Sequence, residues 1–327
     1  MKKSLIISLL LVSSLFLSAC NETNKTTGNN ESSSDAEESI SIMTSLYPLQ
    51  YFAERIGGDL VKVESLLPPG SDAHTFEPTS KDMIAIAESD LFIYNGLGME
   101  SYADKITKAL ENEDTIMVEA TKGVDVITST HHHSEDEHHE GETANHEEEH
   151  HHGDYDPHVW LDPNRASQLA KNIRDSLIDL HPEYKDTFTQ NYSKLKEDLD
   201  EVDEEFTTLV QKSNHPEILV SHAAYGYWEE AYGIKQLAVA GLSPTDEPSQ
   251  KELKEIIETA KEHNIQYVIF EQNVTTRVAD IIKNEINAKP LKIHNLAVLT
   301  ESDIKNNENF LSLMEQNLKT LDQAIHD

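Results

Sequence analysis

The chain has 327 residues, 60 acidic against 26 basic, for a formal net charge of −34 with 17 histidines. That charge argues against nucleic acid and anionic lipid as partners, because both repel it, and it suits a surface protein whose ligand is a cation. The single cysteine, Cys20, excludes a disulfide framework and every cysteine-rich zinc motif.

The N-terminus reads as an export signal. Lys2 and Lys3 precede an apolar run from Leu5 to Leu17, then Leu17-Ser18-Ala19-Cys20. The apolar part is too short for a comfortable membrane span and ends in small residues, as a secretory signal does. The Leu-Ser-Ala-Cys run resembles a bacterial lipobox. It implies a signal peptide over 1–19, cleavage before Cys20 and a lipid (palmitate among its acyl chains) on that residue. Residues 20–38, rich in Asn, Ser, Thr and Glu without apolar periodicity, are expected to be a disordered lipid tether. The protein is therefore expected outside the cytoplasm, on the outer face of the cell membrane. The body has no second run of about 18 or more apolar residues, which argues against a membrane channel.

From Ser39 short apolar runs alternate with helical periods. ISIMTSLY, LVKVESLL, DLFIYNG and TIMVEAT read as strands, separated by helices at YFAERIGG, SKDMIAIAES and SYADKITKALE. This predicts an N-terminal α/β lobe over 39–162. Leu169, Ile173, Leu177, Tyr184, Phe188, Tyr192, Leu195, Leu199, Val202, Phe206 and Leu209 then recur at helical spacing. They predict a linker helix over 163–213, kinked or split at Pro182. As one rod it would span on the order of 65 Å. A C-terminal α/β lobe over 214–327 follows, with strands at EILVSH, KQLAVAG, QYVIFEQN and LKIHNLAVL. The fold class is thus α/β: two (β/α) lobes with parallel sheets joined by a long helix.

Open α/β sheets bind ligands beyond the carboxyl ends of their strands. His74 follows LVKVESLL in a Pro-Gly turn, His222 ends EILVS, Glu271 ends YVIF, and His158 stands in a Pro-bounded turn before the linker. Three imidazoles and one carboxylate on the ligand face make a tetrahedral zinc site plausible. His181, His215, His263, His294 and His326 read as hydrogen-bonded loop or helix-end residues, with His294 the least settled of them.

The segments GSDAHTFEPTSKD, DPHVWLDP, SHAAYGYW, AGLSPTDEPS and VIFEQNV together resemble the zinc-binding receptors of bacterial ABC importers, the metal-specific class called cluster A-I or cluster 9. The resemblance runs from about Ser39 to the end. It implies two lobes joined by a rigid helix, a metal in the cleft, and His74, His158, His222 and Glu271 as ligands, with water as the alternative to Glu271. It also implies delivery of Zn²⁺ to a membrane permease driven by a separate ATPase. The chain is expected to be monomeric and, with no nucleophile–base pair, phosphate loop or nucleotide fingerprint, not an enzyme. Manganese receptors of the class resemble the same template with two histidines and two carboxylates. Here the third position is His222, and Thr275 stands where those relatives tend to offer a carboxylate. Imidazole suits Zn²⁺ and hard oxygen suits Mn²⁺.

Nine histidines, His131, His132, His133, His138, His139, His146, His150, His151 and His152, crowd an acidic segment just before His158. Such a segment can hold Zn²⁺ weakly without fixed geometry and is expected to act as an accessory loop over 131–152 near the cleft. Glu77, Asp156 and Asp162, close in sequence to His74 and His158, are candidate partners for the second ring nitrogens. Trp160, Tyr225 and Tyr227 could wall the site. A manganese receptor, a surface adhesin and a zinc metalloenzyme remain as alternatives. Against the last, no further His or carboxylate is placed as a general base, and SHAAYGY lacks the GxSxG frame.

Overall fold

The computed structural model describes residues 39–128, 155–273 and 277–326. Cys20, the tether, the histidine-rich segment and Thr275 lie outside the described residues. The first lobe runs β1 (Ile40–Thr44), α1 (Tyr47–Gly57), β2 (Val61–Ser65), α2 (Ser80–Ala87), β3 (Leu91–Tyr94), α3 (Ala103–Ala109) and β4 (Ile116–Glu119). Its strands pair in parallel in the order β2-β1-β3-β4. The central strands β1 and β3 are largely apolar and mostly buried, as a sheet covered on two faces requires.

The helical stretch that follows is divided. α4 (Pro163–Leu180) and α5 (Lys185–Val210) are separated by His181 and a single 3-10 turn. The physical reason is Pro182: it disfavours helical geometry in the residue before it, and His181 takes φ −132° and ψ 74°. The chain then folds back, so that Asn164 reaches Asp203 and the Arg174 guanidinium covers the Tyr192 ring. The connector is a helical hairpin rather than one continuous rod. α5 alone, at 26 residues, spans about 39 Å. It buries Phe188, Leu195, Leu199, Val202, Phe206 and Leu209 along one stripe.

The second lobe repeats the first: β5 (Glu217–His222), α6 (Gly226–Tyr232), β6 (Lys235–Ala240), α7 (Gln250–Glu262), β7 (Tyr267–Glu271), α8 (Arg277–Glu285) and β8 (Lys289–Ile293). Its order, β6-β5-β7-β8, has the same parallel topology. β8 starts earlier than LKIHNLAVL suggested and stops at Ile293, so His294 and Asn295 lie in a loop. α9 (Glu301–Asn306), which the sequence reading did not anticipate, and α10 (Phe310–His326) close the fold. Capping boxes start α2, α7 and α9, at Thr79/Asp82, Ser249/Glu252 and Thr300/Asp303.

The described residues belong to a single compact unit. One hydrophobic cluster runs through both lobes and the hairpin, from Ile42 and Phe52 through Trp160 and Phe206 to Trp228, Phe310 and Leu321. Two backbone hydrogen bonds also cross between the lobes: Tyr47 N–H donates to Ala297 O at 3.0 Å, and Gly70 N–H to Leu299 O at 2.9 Å. Among the described residues no helix is long and apolar enough to cross a membrane.

Candidate metal centre

In both sheets the strand order reverses beside the first strand, which is where an open α/β sheet leaves a crevice at its carboxyl edge. In the second lobe β5 and β7 flank that crevice. Their register pairs Val220 with Ile269, and two residues on it sets His222 beside Glu271. From the first lobe the loop after β2 brings His74. The turn before α4 brings His158.

The three imidazoles converge on one point. His158 Nε2 lies 3.2 Å from His74 Nε2 and 3.4 Å from His222 Nε2. They form the one group of three or more potential metal donors that lie within 4.8 Å of one another among the described residues. Tetrahedral zinc with bonds of about 2.0–2.1 Å separates neighbouring nitrogens by about 3.3–3.4 Å. The observed spacing is that of the edges of such a tetrahedron. His158 and His222 are buried, and His74 is partly buried at the mouth. Burial first, then the His158 and His222 rings, push the His74 imidazole down to about 2. It is neutral at physiological pH and offers one ring-nitrogen lone pair rather than a charge.

Each buried ring has a carboxylate behind it. Asp156 Oδ1 lies 2.8 Å from His158 Nδ1 and accepts the His158 backbone N–H at 2.9 Å. A proton on Nδ1 directed at that carboxylate leaves the Nε2 lone pair facing the centre. Tyr227 donates to Asp156 O at 2.7 Å, and a Cβ at Gly226 would collide with Asp156 Oδ2 at 2.6 Å. Gly226 therefore leaves the room that Asp156 occupies.

Glu271 lies behind the His222 ring without a hydrogen bond to it. Its Oε1 is in close contact with His222 Nδ1, although that nitrogen has no hydrogen-bond alignment, and Oε2 accepts from Asn295 Nδ2 at 2.6 Å. Glu271 is not among the donors that lie within 4.8 Å of one another. Asn295 and the back of His222 hold the carboxylate beside the trio. The buried Tyr225 hydroxyl faces Glu271, and burial together with that carboxylate pushes the phenol up.

Two of the other sequence candidates stand elsewhere. Glu77 accepts from Ser101 Oγ at 3.1 Å instead of serving His74. Asp162 caps α4 by accepting Arg165 N–H at 2.7 Å. Trp160 is fully buried, with its ring 5.5 Å from that of His158, and donates to Asn295 O at 2.8 Å. Histidines away from the centre pair with carboxylates: His181 with Glu183, His263 with Glu217, His294 with Asp303 and His326 with Asp322. Sequence reasoning missed Asn95, whose Nδ2 donates to Pro157 O at 3.0 Å and anchors the His158 turn. It also missed buried Glu100, which closes the β3 loop on Ser45 and on the backbone of Asn95 and Gly96. No pattern around either residue announces these roles.

The two-lobed α/β fold thus brings three imidazoles together between its lobes, a donor set that suits a divalent metal ion. The family described as zinc-uptake complex component A, periplasmic, matches residues 42–324, and the chain belongs to it. The chain is 36% identical over 320 residues to the zinc-binding lipoprotein AdcA of Streptococcus pneumoniae strain R6, covering 97% of this chain and 60% of that protein. It thus spans less than two thirds of that relative. To the high-affinity zinc uptake system protein ZnuA of Bacillus subtilis it is 33% identical over 311 residues, covering 95% and 94%. Among solved structures, the Zn(II)-bound ZnuA-like domain of S. pneumoniae AdcA matches with TM-score 0.72 and 32% identity, covering 89% of this chain and all of that one. The laminin-binding protein Lmb of Streptococcus agalactiae, described as bifunctional with adhesin and metal-transporting activity, matches with TM-score 0.75 and 28% identity, covering 88% and 99%.

Proposed function

We propose that this protein captures Zn²⁺ outside the membrane and hands it to an ABC permease powered by a separate ATPase. The observation that carries this reading is the approach of three Nε2 atoms, at 3.2 and 3.4 Å, between two lobes. His74, His158 and His222 bind the ion, and the Glu271 carboxylate adds negative charge beside it. Three imidazoles favour zinc over manganese, and the Irving–Williams order favours it further.

The ion is cargo, so the site must be both tight and reversible. Asp156 holds the His158 ring with its Nε2 lone pair inward, so little reorganisation of that ring is needed on capture. The donors come from both lobes, so separating the lobes on a permease dismantles the set. A lipid on Cys20 keeps the receptor at the outer face of the cell membrane, where it works as a monomer. The histidine-rich segment 131–152 raises the local zinc concentration and passes ions to the centre.

Uptake of radioactive zinc by cells carrying either the parent chain or His222→Ala as sole copy tests the proposal. Uptake at submicromolar zinc should collapse in the variant and recover when zinc is abundant. Equal uptake at scarce zinc would refute it.

A further inference from the structure

Asn295 lies in the loop after β8, buried, with every polar group it owns engaged. The orientation of its amide is fixed by its neighbours. Oδ1 accepts the backbone N–H of Ala297 at 3.2 Å and Gln272 Nε2 at 3.0 Å, and a backbone N–H can only donate. Nδ2 must therefore point the other way, where it donates to Glu271 Oε2 at 2.6 Å and Asn273 Oδ1 at 3.2 Å. The Asn295 backbone N–H donates to Gln272 Oε1 at 3.2 Å, and its carbonyl accepts the Trp160 indole N–H at 2.8 Å.

These contacts lead to all three histidines. Glu271 presses on His222. Trp160 is two residues past His158. Asn273 carries the chain across the cleft, because its Nδ2 donates to Ser71 O at 2.9 Å, three residues before His74. We infer that Asn295 is a positioning residue for metal capture: its amide fixes the Glu271 carboxylate against His222 and, through Asn273, ties the His74 loop to the opposite lobe. This inference rests on the zinc-receptor reading and extends it. A charge-neutral donor is required at this point. An aspartate of the same shape would set an oxygen against Glu271 Oε2 and another acceptor, Asn273 Oδ1, and would repel the carboxylate it replaces a donor to.

The test uses the mature chain with metal alone, and compares Asn295→Asp, Asn273→Ala and His222→Ala with the parent. Three quantities are read: zinc affinity by chelator competition, zinc release rate, and the visible ligand-field bands of the Co²⁺ form. Asn295→Asp should bind zinc about 10- to 100-fold more weakly and shift the Co²⁺ bands. Asn273→Ala, which removes one hydrogen bond across the cleft, should weaken binding and speed release by about 2- to 10-fold. A residue that only supported the fold would lower the melting temperature of the metal-free protein and leave the Co²⁺ bands in place. Should Asn295→Asp not fold, Asn273→Ala decides alone. Parent-like affinity, release and Co²⁺ bands in the folded variants, with tight zinc lost in His222→Ala, would overturn the inference and leave the receptor standing. Tight zinc retained in His222→Ala would remove the receptor reading itself.

Discussion

His74 and His158, 84 positions apart in the chain, hold their Nε2 atoms 3.2 Å apart. Two imidazole nitrogens at that distance can share one proton, and His222 adds a third lone pair that the same proton cannot reach. A bound cation satisfies all three at once. His158 is the hub, since it faces both other rings. Structural zinc in small sites is worth about 10–16 kcal/mol over four ligands, or roughly 3 kcal/mol for each. His158→Ala should therefore weaken zinc by about 100-fold or more, measured by competition with a chromophoric chelator.

Asp156→Ala tests the partner of that ring. The carboxylate fixes the His158 tautomer and also accepts the His158 backbone N–H. Its loss should cost about 10- to 100-fold in zinc affinity while one equivalent still binds. An unchanged affinity would mean that ring orientation is set by packing on Trp160 alone.

The fold was readable where local chemistry decides it. Strand-end positions His222 and Glu271 were found because apolar runs mark strands, and parallel sheets carry ligands at one edge. The break at Pro182 was also visible, but the return of α5 along α4 was not, since it depends on contacts such as Asn164 with Asp203. Glu77 shows the limit of sequence proximity: three residues from His74, its carboxylate turns to Ser101. Asn295 was invisible for the opposite reason. Its partners Trp160, Glu271 and Asn273 belong to segments that only the fold brings together.

Phe206 measures how far stability depends on the hairpin. Its ring is fully buried, stacks on Tyr232 at 4.9 Å and meets Trp228 at 5.1 Å. Phe206→Ala should destabilise the metal-free protein by about 3–5 kcal/mol, read from the shift in urea midpoint at unchanged slope. A loss below about 1 kcal/mol would mean that the neighbouring rings collapse into the space.

The pH dependence of stability has a defined sign. Burial lowers the His294 pKa against the opposing pull of Asp303, Glu271 and Glu308, so the folded state holds this ring neutral while the unfolded chain protonates it near 6.5. Its Nδ1 accepts the Leu296 N–H at 2.9 Å, a bond that protonation destroys. The stability is present above about pH 6.5 and falls as the pH drops below it. Asp303, whose pKa is lowered by its Thr300 and His294 contacts, acts in the same direction at more acidic pH. Melting of the metal-free protein should fall between pH 7 and 5. His294→Asn, which keeps an acceptor near the Nδ1 position, should flatten that slope.

The most direct measurement is a competitive Zn²⁺ and Mn²⁺ titration of the mature chain lacking residues 131–152, alongside the same protein with His222→Ala. The account predicts one tight zinc equivalent, not displaced by excess Mn²⁺ and lost in the variant. Manganese outcompeting zinc, or zinc that is bound only when 131–152 is present, would contradict it and move the main site away from the three converging histidines.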